Sequence, residues 1–162
     1  MNNLKLLLSK QLQLQRISKS ILVTILVLAF IGFVDATYLT VEHYRNEVPP
    51  CTVGGCENVL TSEYAEIYGV PVSLLGSIYY LLVIVSLFIY FDVKNEKVKD
   101  YCLKLIIVLS TVGFFAALGF IYLMLFVIKA ICVYCMVADI VSILIFVMAW
   151  HIAYMGLIKK NE

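Results

Sequence analysis

Charge is what this sequence has least of. Only 14% of its 162 residues are Asp, Glu, Lys or Arg, where a soluble domain carries roughly 25%. The net charge of +1 provides no clustered basic face of the kind that nucleic-acid binding needs, which excludes nucleic acid as a partner. An internal repeat, a low-complexity tract and a polar linker are also missing, which argues against a second domain and against disorder. What fills the chain is apolar: 63% of its residues, with a mean hydropathy of +0.99. A soluble fold of this length buries too little of its surface to hide so much. The excess has to face lipid. A soluble enzyme and a secreted disulfide mini-domain are therefore excluded, and a small polytopic membrane protein with five cysteines remains.

Four apolar windows, at about 21–41, 70–91, 105–128 and 132–157, approach the roughly 20 residues that cross a hydrocarbon core. They predict an all-α membrane protein, a four-transmembrane-helix bundle forming one domain over 1–162. Pro71 suits the first turn of the second helix. No A-x-A-like cleavage site follows the apolar run 21–34, so the first window reads as a span and not as a removable signal. Lys5, Lys10, Arg16 and Lys19 precede it, Lys94, Lys97, Lys99 and Lys104 surround the second connection, and Lys159 and Lys160 follow the last span. Only Arg45 and Lys129 fall on the other side. The positive-inside rule then predicts a multi-pass protein of the cell membrane with both termini cytoplasmic and residues 44–70 outside.

The cysteines sort with that topology. Cys51, Cys56, Cys132 and Cys135 fall on the extracytoplasmic side, where disulfides persist, and Cys102 falls alone on the reducing side. Pro49-Pro50-Cys51-Thr52-Val53-Gly54-Gly55-Cys56 is a short loop, stiffened by two prolines and able to turn back on two glycines. A structural staple is one reading of this pair. Cys132-Val133-Tyr134-Cys135 has the spacing of thiol–disulfide catalysts and opens a helix, whose N-terminus favours a thiolate. Two close cysteine pairs also meet the needs of a tetrathiolate metal site, although such a site explains nothing about the membrane. Redox chemistry, with no metal, is the favoured reading. Between the pairs, Val59, Leu60, Tyr64, Ile67 and Tyr68 keep a helical period over 57–68. They predict a short extracytoplasmic amphipathic helix between spans one and two.

Pro49-Pro50-Cys51 through Cys56, Val59-Leu60-Thr61-Ser62, Gly69-Val70-Pro71-Val72-Ser73-Leu74-Leu75-Gly76, Tyr38-Leu39-Thr40 with His43, and Cys132-x-x-Cys135 together resemble the prokaryotic vitamin K epoxide reductase homologues. The resemblance implies a four-helix bundle around a quinone (ubiquinone, menaquinone or a related ring). It also implies a membrane thiol oxidoreductase that supports disulfide formation in exported proteins. On the same basis Cys51 and Cys56 look like a shuttle pair, Cys132 and Cys135 like the active-site pair, and Ser62 matches a family serine near the redox centre. Cys132 would exchange with Cys56, and Cys135, one turn deeper, would meet the quinone. The partner implied is a thioredoxin-like or DsbA-like extracytoplasmic protein. Some relatives carry a fused thioredoxin-like domain; here none is expected. Two alternatives stay open: a quinone or quinone-epoxide reductase as the main role, and a non-enzymatic membrane protein stapled by cysteines or holding a metal.

Asp35 and Asp139 are acids within predicted spans, a costly placement that marks function by default. They are candidates for relaying the protons of quinone reduction, or for neutral contacts between helices. His43 and His151 read as interfacial residues. Phe114, Phe115, Phe120, Tyr122 and Phe126 read as packing or lipid-facing rings, and Gly113 with Ala117 as a weak small-xxx-small contact.

Overall fold

In the computed structural model, residues 2–51 and 55–160 are described, with the side chains of 2–18 and 156–160 left aside. The side chains of the basic residues Lys5, Lys10, Arg16, Lys159 and Lys160, and the loop residues Thr52, Val53 and Gly54, thus lie outside the described residues. The chain runs α1 (Asn2–Arg45), α2 (Cys56–Leu60), β1 (Glu66–Ile67), β2 (Val70–Pro71), α3 (Val72–Asp92), α4 (Glu96–Tyr122), a π-helical turn (Leu123–Ile128) and α5 (Val133–Lys160). Four helical stretches are long and apolar enough to cross a membrane: Lys19–Arg45, Val72–Asp92, Glu96–Ile128 and Val133–Met155.

Each span exceeds or shifts its apolar window for a local reason. The third window is the apolar part of a helix that starts earlier, because Asn95 caps it: its Oδ1 accepts the Lys97 N–H at 3.0 Å. Lys99–Glu96 and Lys104–Asp100 pairs then line the first turns outside the apolar stretch. Pro71 stands one residue before α3, at its N-cap.

The helices close a ring in which α1 and α4 each lie against both α3 and α5. On α1 the inward stripe is Leu22, Ile25, Ala29, Gly32, Ala36 and Leu39, all buried. Val23, Val27, Phe30, Ile31 and Val34 are exposed on the opposite side. A helix apolar on every side is the mark of a membrane span. In lipid the apolar face gives no net drive to associate, so close packing and hydrogen bonds between helices hold the bundle together. Tyr80 of α3 supplies both. Its ring fills the space that a side chain on Gly32 would occupy. Its hydroxyl donates to the Ala138 carbonyl at 2.7 Å and accepts from Ser142 Oγ at 2.9 Å. Tyr79 fills the corresponding notch at Gly113 of α4, so the weak small-residue contact read from sequence is a seat for a tyrosine. Thr37 and Ser77 hydroxyls meet at 3.3 Å between α1 and α3.

The predicted amphipathic helix is present but much shorter than its periodicity suggested. It ends at Leu60, and residues 66–71 form an antiparallel hairpin with Glu66 opposite Pro71 and Ile67 opposite Val70. Tyr68 (φ 53°) and Gly69 (φ 79°) hold the two left-handed positions of its turn, the geometry that two-residue hairpins prefer. His43, read as interfacial, ties this hairpin to the end of α1 through Glu66 at 3.1 Å. His151 is exposed on α5.

Candidate thiol–disulfide redox centre

The site is built where the loop after α1 folds over the start of α5. Cys51 and Cys56 are joined by a disulfide, their Cα atoms 6.1 Å apart, within the span such a bond requires. Gly55 makes the turn into α2 at φ +146°, a conformation that L side chains avoid. It also presses on the backbone beneath: a Cβ there would stand 2.9 Å from the Ile131 carbonyl oxygen and 3.1 Å from its nitrogen. Residues 55 and 131 each precede a cysteine, so this backbone approach sets Cys56 against Cys132. Both are completely buried, and they share a cluster with Met124. Cys51, Cys135, Val59 and Leu60 pack against that cluster. A second tie comes from the middle of the C-x-x-C: the Tyr134 hydroxyl donates to the Pro50 carbonyl at 3.1 Å, and its ring lies against Tyr38.

Cys132 stands just ahead of α5 and caps it. Its carbonyl accepts the Met136 N–H at 3.0 Å, and its Sγ accepts the Cys135 N–H at 3.3 Å. Cys135 Sγ lies 2.6 Å from Cys132 Sγ, within reach of the bond that oxidation makes. The Cys135 thiol, followed by the backbone N–H groups of Cys135 and Tyr134, holds the Cys132 thiol below its ordinary range against the opposing effect of burial. A sulfur that favours its thiolate is both the better leaving group and the more available nucleophile in exchange.

A cavity of about 910 Å³ opens beside this centre. Cys135 lines it; Cys132 does not. Cys132 thus lies toward the loop pair and Cys135 toward the cavity. Ser62 is also on the cavity wall, its hydroxyl donating to the Val59 carbonyl at 2.7 Å, where it closes the turn after α2. Of the five rings singled out on the third span, only Phe120 lines the cavity. Phe115, Tyr122 and Phe126 are exposed on the outside of the bundle, and Phe114 stacks on Phe146. Asp35 and Asp139, whose roles the sequence left open, both line the cavity. Cys102 is buried early in α4, about 30 Å of helix rise from that helix's other end.

The family model described as "Vitamin K epoxide reductase family" matches residues 23–150. The chain belongs to the vitamin K epoxide reductase family. No curated protein matches it. The matched residues run from α1 to α5 and contain every residue of the centre described above. Family membership, the four apolar helices and the bonded cysteine pair make this a multi-pass membrane thiol oxidoreductase.

Three contributors to the site had escaped sequence reasoning. The Gly55–Ile131 approach joins two loops distant in sequence. The Tyr134–Pro50 hydrogen bond turns an unremarked C-x-x-C side chain into a strap. The π-helical turn brings Met124 under the buried sulfurs; such turns recur at functional sites, but no local pattern announces them. For Gly55 a signal did exist: a glycine immediately before a redox cysteine marks close backbone approach.

That approach carries a prediction. Gly55→Ala forces both an unfavourable φ and a clash with the Ile131 backbone, so the loop has to lift. Exchange between Cys56 and Cys132 should slow by on the order of 10²-fold, as ångström-scale misplacement of reacting groups does. Ile131→Ala removes a half-exposed side chain and keeps that backbone, so it should leave the rate nearly unchanged. Rapid-quench alkylation of the reduced loop pair reads both variants.

Proposed function

We propose that this protein carries electrons from a reduced thioredoxin-like protein outside the membrane to a quinone within it, so that disulfides form in exported proteins. The partner's thiols reduce the Cys51–Cys56 disulfide, entering at the partly exposed Cys51. The freed Cys56 thiol attacks Cys132, the mixed disulfide resolves onto the loop pair, and Cys132 and Cys135 are left as thiols. These two thiols are oxidised back to a disulfide as the quinone is reduced; the quinone supplies the two-electron sink. Cys135 and Ser62 hold positions on the wall of the cavity that would receive it, and Phe120 and Met124 give that wall an apolar surface suited to a ring. The observation that carries the reading is the burial of Cys56 and Cys132 in one cluster, with Cys51 on the loop side and Cys135 on the cavity side.

The orientation proposed places the cysteine loop outside and both termini in the cytoplasm. It is supported by the basic residues Lys94, Lys97, Lys99 and Lys104 at the α3–α4 connection, the end of the bundle opposite the redox centre. A tetrathiolate metal site would need all four sulfurs free, whereas two are bonded to each other.

The test is purified protein in detergent with decylubiquinone, menadione and a reduced thioredoxin-like substrate, followed by quinone absorbance. One quinone should be consumed per substrate disulfide formed. Quinone loss without thiol oxidation, or thiol oxidation indifferent to quinone, would overturn the proposal.

A further inference from the structure

Buried polar atoms almost always find a partner, so those that do not are informative. Among the described residues three buried side-chain atoms have none: Asp35 Oδ2, Asp139 Oδ2 and the Tyr79 hydroxyl. All three residues line the same cavity, the one that Cys135 borders. Asp139 is the sharpest case. It is only 6% exposed, stands one helical turn beyond Cys135 on α5, and still keeps an unpartnered carboxyl oxygen. Asp35 comes to the cavity from the neighbouring helix α1. A carboxyl in a membrane span that served only to join helices would have its oxygens satisfied by the helix opposite. The other carboxylates on the cavity wall, Glu42, Glu47, Glu63 and Glu66, belong to the end of α1 and the loop beyond it. Of the carboxyls on the cavity wall, Asp35 and Asp139 are the two that lie within the bundle.

We propose that Asp35 and Asp139 are the proton-transfer pair of the cavity, passing the two protons released by the Cys132/Cys135 dithiol to the two oxygens of a bound quinone. The inference rests on the quinone-reducing reading above. Oxidation of the dithiol makes one S–S bond and releases two electrons and two protons. The electrons pass from sulfur to the quinone ring, and the protons end on its two oxygens as the hydroquinol forms. Each carboxyl group takes one proton from the thiol side and gives one to an oxygen, so both acids finish as they began and no other reactant is required.

Asp35→Asn and Asp139→Asn keep the shape and remove the transferable proton. In single-turnover oxidation of the fully reduced protein by decylubiquinone, each should slow the step by on the order of 10²-fold, the usual worth of a positioned acid–base group. Reduction of the Cys132–Cys135 disulfide by dithiothreitol, with no quinone present, should stay within about two-fold, because that exchange uses only sulfur. In quinone-free protein, the infrared difference between dithiol and disulfide forms should contain carboxyl stretches that each Asn variant removes. The inference falls if the variants are oxidised as fast as wild type, if both steps slow equally, or if the carboxyl region is silent. Wild-type protein that reacts with the quinone while the variants react equally well sinks only the proton pair. Wild-type protein that reduces no quinone sinks the underlying function with it.

Discussion

Cys135→Ala should abolish quinone reduction, with a loss on the order of 10³-fold or more, as removal of a reacting nucleophile typically causes. The loss should be confined to one end of the chain of sulfurs. Cys56 and Cys132 stay in their shared buried cluster, so the mixed disulfide between them can still form but can no longer be resolved by Cys135. Adding Cys51→Ala removes the remaining resolving thiol and leaves Cys56 and Cys132 both as thiols, so with copper phenanthroline added as the two-electron oxidant a Cys56–Cys132 bond should accumulate, visible by mass spectrometry of non-reduced peptides. Retained turnover in Cys135→Ala would mean that another sulfur faces the quinone. A bond found between Cys51 and Cys132 in a Cys56→Ala, Cys135→Ala protein, with none between Cys56 and Cys132 in the matching variant, would reverse the order within the loop pair.

The largest effect on stability should come from Tyr80→Ala. That side chain is 2% exposed, fills the notch at Gly32, and bonds two groups on α5. Removing an aromatic ring from a packed core costs about 3–5 kcal/mol. The lipid environment shifts the cause and not the direction: contacts between helices are lost, and lipid does not restore the shape of the notch. Tyr80→Phe keeps the ring and strands the Ala138 carbonyl and the Ser142 hydroxyl, so it should cost about 1–2 kcal/mol. Unfolding in mixed micelles measures both. If Tyr80→Phe proves as damaging as Tyr80→Ala, the hydroxyl and not the ring would be the main tie between α3 and α5.

The spans were legible because a membrane imposes a length, and lengths survive in a sequence as uninterrupted apolar runs. The family was legible because its cysteine spacings and flanking motifs are local. Their limits were also local. The period of Val59, Leu60, Tyr64, Ile67 and Tyr68 favoured one helix over 57–68, but a helical rhythm records only which residues seek an apolar surface. Tyr68 and Gly69 in left-handed conformations allow a hairpin to satisfy the same residues, and only the meeting of this loop with α1 and α3 decides between them. Gly32 and Gly113 are similar: a glycine in a span reads as a place where helices approach, yet here each receives a tyrosine ring from α3. Asp35 and Asp139 could be singled out as costly, but that they share one cavity depends on the rotations of α1 and α5 about their axes, which a sequence does not display.

The complete burial of Cys56 and Cys132 has a consequence beyond bringing them together. A sulfur with no exposed surface meets the small thiols and oxidants of the surrounding medium far more slowly than it meets the sulfur packed beside it. The two middle stations of the proposed path are thus insulated on the timescale of turnover: electrons enter at the loop cysteine and depart at the cavity cysteine, with little leak between. Such a conductor spends each partner thiol pair on the quinone alone, and its direction is set by who can reach its two ends.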